Sequence, residues 1–102
     1  MRLTRSPFSR VIESQLDLFE RDHRDVIEEA DARLRAYNDA DRDVAEELYG
    51  DYLDAVETGT EILADMRDHY ASSIVDAERY LRDFDRAVRR RLKPFDLEIE
   101  NR

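Results

Sequence analysis

The chain of 102 residues has no cysteine and no tryptophan, only two glycines, two prolines and a single lysine. Without cysteine there is no disulfide and no thiolate metal site. No apolar run reaches the roughly 18 residues that cross a bilayer, so no membrane partner is expected. Met1 to Pro7 lack the apolar centre of a signal peptide, and a cytoplasmic location is expected. Glycine-rich phosphate loops and nucleophile elbows are missing as well. No catalytic residue and no cofactor is therefore expected, and the sequence reads as that of a non-enzymatic protein.

What the chain has is charge. Twenty-six acidic residues face 17 basic ones, for a net charge of −9. Fifteen of the acids are Asp, and all the cations but Lys93 are Arg. Arg in place of Lys fits a GC-rich genome. Dense Asp with almost no Lys also fits a halophilic interior, where at about 1 M salt the screening length shrinks to about 3 Å. The sign of the charge argues against nucleic acid as a partner. Leu, Ile, Val and Phe supply 25 of the residues, enough for one folded domain over 1–102. A domain this small leaves much of its apolar surface wet unless something covers it.

The pattern of those apolar residues sets an all-α fold. From Asp41 to Lys93 they recur every three or four positions: Ala45, Tyr49, Tyr52, Val56, Gly59, Leu63, Met66, Tyr70, Ser73, Ala77, Tyr80, Phe84, Ala87. At 3.6 residues per turn this is a single stripe along one helix side. A first helix is predicted from Pro7 to about Tyr37, with the stripe Phe8, Ile12, Leu16, Phe19, His23, Val26, Ala30, Leu34, Tyr37 and a capping Ser6 before Pro7. Residues 1–7 form a basic arm with Arg2 and Arg5. Asn38 to Asp41 is the clearest break. The second helix then runs back along the first, with Val56 near His23 and Gly59 beneath the Phe19 ring.

At Ala71-Ser72-Ser73 two outcomes are open. In the first, the helix continues and overshoots its cover by about 20 residues, or about 30 Å. In the second, Ser73 and Asp76 form a capping box that starts a third helix at Ile74. The fold is thus a long antiparallel hairpin or a three-helix bundle, assembling as a dimeric, coiled-coil-like bundle. Tyr70, Ala77, Tyr80, Leu81, Phe84, Val88 and Leu92 are the expected interface with a second copy or another helical protein. Pro94 ends the helix. The tail 94–102 alternates apolar and acidic residues and is expected to be an extended arm.

Two clusters carry chemistry of their own. Glu20 and His23 share a helix face at the i, i+3 spacing of di-iron bundles, with Glu57 facing them across the hairpin. Because the second such pair is missing, no metal is expected, and His23 reads as a core histidine. Arg86, Arg89, Arg90, Arg91 and Lys93 crowd one helix end, where cations suit the dipole or form a patch for an anionic partner. Leu34 to Ala45, with Phe8 and Ile12 upstream, resembles the first two helices of PhoU-type phosphate-regulatory bundles over about half the chain. That resemblance implies acidic motifs that bind metal and contact partner proteins, although Asp51, Asp54 and Glu57 do not reproduce those motifs. The expected function is a helical scaffold or adaptor working through helix–helix association, with a PhoU-like metal- or phosphate-linked bundle as the alternative.

Overall fold

The apolar periods produce the helices they dictate. The computed structural model describes residues 6–96 and 98–102. Four α-helices follow one another: α1 (Ser9–Asp22), α2 (Arg24–Asn38), α3 (Arg42–Ala71) and α4 (Ala77–Arg91). Two 3-10 turns, Lys93–Phe95 and Ile99–Asn101, complete the chain, and there is no strand among the described residues. The N-terminal arginines Arg2 and Arg5 lie outside the described residues.

The expected first helix is two helices. At His23 the backbone leaves the helical region (φ −126°, ψ 33°). The His23 amide still donates to the Phe19 carbonyl at 2.8 Å, while the His23 carbonyl accepts the Val26 and Ile27 amides at 3.0 and 3.2 Å. One residue thus ends α1 and opens α2, with its amide serving the first helix and its carbonyl the second. The cause is tertiary, since no Gly or Pro stands there. α2 pairs with α3, whereas α1 turns away to lie on α4.

The turn after α2 falls where the sequence places it. Asp41 is extended (ψ 156°) and α3 begins at Arg42. The facing pairs differ from those expected. Arg33 donates to the Asp51 carbonyl at 2.6 Å, and the Tyr37 and Tyr49 rings lie 5.0 Å apart. α3 is therefore shifted along α2 from the predicted register.

The chain does reverse after Ala71, but not by the expected capping box. The Ser72 and Ser73 hydroxyls donate backwards, to the His69 and Tyr70 carbonyls at 2.7 and 3.2 Å, so both serines close α3. Asp76 takes the left-handed conformation (φ 62°, ψ 41°), and α4 starts one residue later. α4 then runs antiparallel to the C-terminal half of α3: Tyr70 meets Tyr80 at 4.8 Å between ring centroids, and Arg67 meets Asp85 at 2.8 Å. It runs parallel to α1, with Phe8 edge-on to Tyr80 and Glu20 beside Arg91. α1 and the C-terminal half of α3 thus both lie against α4.

The tail is folded inward rather than extended. Phe95 and Ile99 have no exposed surface. The Phe95 ring stands edge-on to Phe19 at 5.8 Å and lies over Gly59, where an added Cβ would collide with it. A close-packed ring does explain the glycine, but the ring is Phe95, not Phe19. Arg67, also buried, ties this region together by donating to Asp68, Asp85 and the Ile99 carbonyl at 2.8, 2.8 and 3.1 Å.

The core does not run the length of the molecule. Ile12, Leu16, Phe19, Leu63, Tyr80, Phe84 and Val88 fill the bundle end. No residue between Ala30 and Ala55 is buried. Since α3 spans about 45 Å of a molecule measuring 50 × 33 × 24 Å, one end holds the packed core and the other is a two-helix hairpin.

Candidate interaction surfaces

The residues expected at a partner interface on α4 lie inside this chain. Tyr80, Phe84 and Val88 have no exposed surface and Leu92 is 3% exposed. Tyr70 and Leu81 pack against the same core, and Ala77 is half-buried. The Tyr80 hydroxyl donates to Gln15 at 2.8 Å, and burial, the largest effect, pushes its pKa up to about 12. The premise of an apolar stripe longer than its cover fails here because the chain folds back at Asp76 and places α1 and the tail over α4. No helix among the described residues is long and apolar enough to cross a membrane.

The arginine cluster is divided. Arg91 donates to Glu20 and to Asp17 on α1, which raises its pKa above the usual arginine value, Glu20 contributing most. Arg89 pairs with Glu100 at 2.6 Å. Arg86 and Arg90 make no ion pair among the described residues; they line a cavity of about 500 Å³ between α1 and α4 together with Ser6, Ser9 and Asp83. Lys93 is exposed. Among the described residues, two of the five cations are thus fastened to this chain's own carboxylates, and the other three are exposed.

Glu20, His23 and Glu57 are not gathered into one site. Glu20 is held by Arg91, His23 packs its ring 5.4 Å from Phe19, and Glu57 is on the surface near Arg102 at 3.9 Å. No group of three potential ligands converges among the described residues.

The surface that sequence reasoning missed lies at the opposite end. The predicted tyrosine stripe is split: Tyr70 and Tyr80 enter the bundle, while Tyr49 and Tyr52 join Tyr37 of α2 in an aromatic cluster with centroids 5.0 and 6.2 Å apart. Tyr49, Leu53 and Val44 are exposed at 44, 41 and 41%. On the helical wheel Tyr49 and Leu53 lie in the same sector as Thr60, Ala64 and Arg67, which α4 and the tail cover. The uncovered stretch is thus the continuation of a covered stripe. Phe95 covers Gly59, and Tyr52, two turns before it, is half-buried. Burial raises the pKa of that hydroxyl most, with the Asp96 charge next, then Tyr49 and Asp31. The signal was present in the sequence, since Tyr49 and Tyr52 stand on the predicted stripe. It was missed because the first helix was assumed to cover them.

Burial and charge compete at Arg67. Burial works against the guanidinium's charge, but its bonds to Asp68 and Asp85 prevail and its pKa is raised. At Asp85 the balance is reversed: burial outweighs the bond from Arg67, and the pKa rises. The pair favours the cation and costs the carboxylate, as expected where desolvation rivals attraction. Through the Ile99 carbonyl Arg67 also fixes the tail. Neither a protein-family model, nor a curated protein, nor a solved structure matches this chain.

Proposed function

We infer that the chain is a non-enzymatic helical adaptor that works by helix–helix association, and that its contact surface is the distal half of the α2–α3 hairpin rather than α4. One observation supports this reading above the others. Between Ala30 and Ala55 nothing is buried, although that stretch carries Leu34, Tyr37, Val44, Leu48, Tyr49, Tyr52 and Leu53. A helix pair with an uncovered apolar side lacks the third layer that gives a helical domain its core. The PhoU-like metal-linked alternative gains no support from the placement of Glu20, His23 and Glu57.

The test is whether these side chains serve the isolated fold. Leu53→Ser and Tyr49→Ser are each expected to change unfolding free energy by no more than about 0.5 kcal/mol, as exposed positions do. Leu63→Ala, in the bundle, should cost about 2–5 kcal/mol. A loss above about 2 kcal/mol at Leu53 or Tyr49 would make them core residues of this chain and remove the surface from consideration.

A further inference from the structure

We propose that the open groove over Tyr37, Tyr49, Tyr52 and Leu53 receives one amphipathic helix of a partner protein whose flanks are cationic. This rests on the adaptor reading above and adds the partner's shape and charge.

The shape follows from continuity. Along α3 the stripe from Gly59 to Arg67 is covered by Phe95, by Ile99 and by α4 residues such as Asp85. Beyond Phe95, which lies over Gly59, no residue of α3 before Ala55 is buried, while the two supporting helices continue for about three more turns, from Val56 back to Ala45. A slot walled by two antiparallel helices is filled by a third helix packing its ridges into theirs. The open length, at 1.5 Å per residue, is about 17 Å. The occupant therefore lies end to end with this chain's own tail and extends the bundle by a layer borrowed from elsewhere.

The charge follows from the rim. Residues 31–54 hold eight carboxylates against three arginines, a local net charge of −5. One of those arginines, Arg33, is already bonded to Glu29 at 2.7 Å and to the Asp51 carbonyl. Asp31 and Asp96 bear electrostatically on Tyr52, and Glu46 stands one helical turn from Tyr49 and two from Leu53. A second copy docked through the same surface would bring −5 against −5. Arginine flanks on the occupant would instead meet carboxylates on both sides, and tyrosine rings accept guanidinium groups on their faces.

The experiment uses the full chain and two synthetic helical peptides of about 18 residues with the same Leu and Ala stripe. One carries Arg flanks, the other Glu flanks. Titration calorimetry should show binding of the Arg-flanked peptide only, weakening as salt rises toward about 0.5 M. Tyr49→Ala and Leu53→Ala should each weaken it about tenfold or more. Asp31→Asn with Glu46→Gln should weaken it and flatten the salt dependence, and Val75→Ser, at the far turn, should leave it unchanged. Equal binding of both peptides, or binding insensitive to Leu53→Ala, overturns the proposal. If neither peptide binds, and the chain instead self-associates in sedimentation while Leu53→Ala stays monomeric, the cationic partner is wrong but association through the hairpin stands. If neither binds and the chain itself stays monomeric at all concentrations, both readings fall.

Discussion

The two glycines of this chain sit nine residues apart on the same helix and are there for different reasons. A Cβ at Gly59 would press on three atoms of the Phe95 ring, none farther than 3.0 Å, whereas a Cβ at Gly50 would meet nothing within 4 Å. Gly50→Ala should therefore stabilise by about 0.5–1 kcal/mol through helix propensity alone. Gly59→Ala gains the same propensity but displaces a ring wedged against Phe19, and overpacking of that kind costs about 1–3 kcal/mol. Chemical denaturation of the two variants should move in opposite directions. The sequence reading expects a close neighbour over Gly59. It does not show which ring comes, because Phe19 and Phe95 both reach it only through tertiary folding. Tyr80 gives a second residue-scale prediction. A tyrosine exposed on unfolding titrates near pH 10, but burial holds Tyr80 neutral up to about pH 12. The folded state thus keeps a proton that the unfolded chain releases. The stabilisation is complete below pH 10 and lost as pH climbs through 12, at a slope of at most about 1.4 kcal/mol per unit. Denaturation of wild type and Tyr80→Phe across that window should show the fall in the former and not in the latter.

Among the elements, the helices were legible and their joints were not. Period places the outer limits, with α1 starting near Pro7, α2 ending near Tyr37, α3 starting near Asp41 and α4 ending before Lys93, because amphipathic spacing survives any tertiary arrangement. The break at His23 leaves no local trace, since it arises from α1 following α4 while α2 follows α3. Ser73 is ambiguous for a physical reason: a serine at a helix boundary can serve the helix before it or the one after it, and here it donates to the Tyr70 carbonyl. The alternating tail looked like a strand, yet Phe95 and Ile99, four residues apart, point together into the bundle. Arg67 links that tail to α3 and α4. Arg67→Ala should cost about 3–5 kcal/mol, since it leaves Asp85 half-buried without its partner and frees the Ile99 carbonyl. Replacing both partners, Arg67→Met with Asp85→Leu, should cost much less. A double-mutant cycle of thermal unfolding measures the difference.

At the scale of the whole molecule, the exposed apolar side chains stand elsewhere than the sequence places them: Val44, Tyr49 and Leu53 are on α3's N-terminal half, not on α4. The exposure was expected on α4, where the chain supplies its own cover. On the α2–α3 tip no residue between Ala30 and Ala55 is buried among the described residues. Local opening free energies should divide accordingly. Native-state hydrogen exchange should find amides of residues 56–70 and 80–91 protected to near the global stability, and those of 34–53 exchanging through much smaller openings. A single uniform level of protection along α3 would mean the tip is as firmly held as the bundle.

The contacts between α1 and α4 also set an order of events during synthesis. Ile12, Leu16 and Phe19 meet their partners only after Phe84 and Val88 have been made. At the usual 5–20 residues per second, the roughly 70 positions from Asp22 to Arg91 take about 4–14 s to emerge from a ribosome. For that interval the nascent chain can form its central hairpin but not its bundle, and the greasy side of the first helix stays open to chaperones.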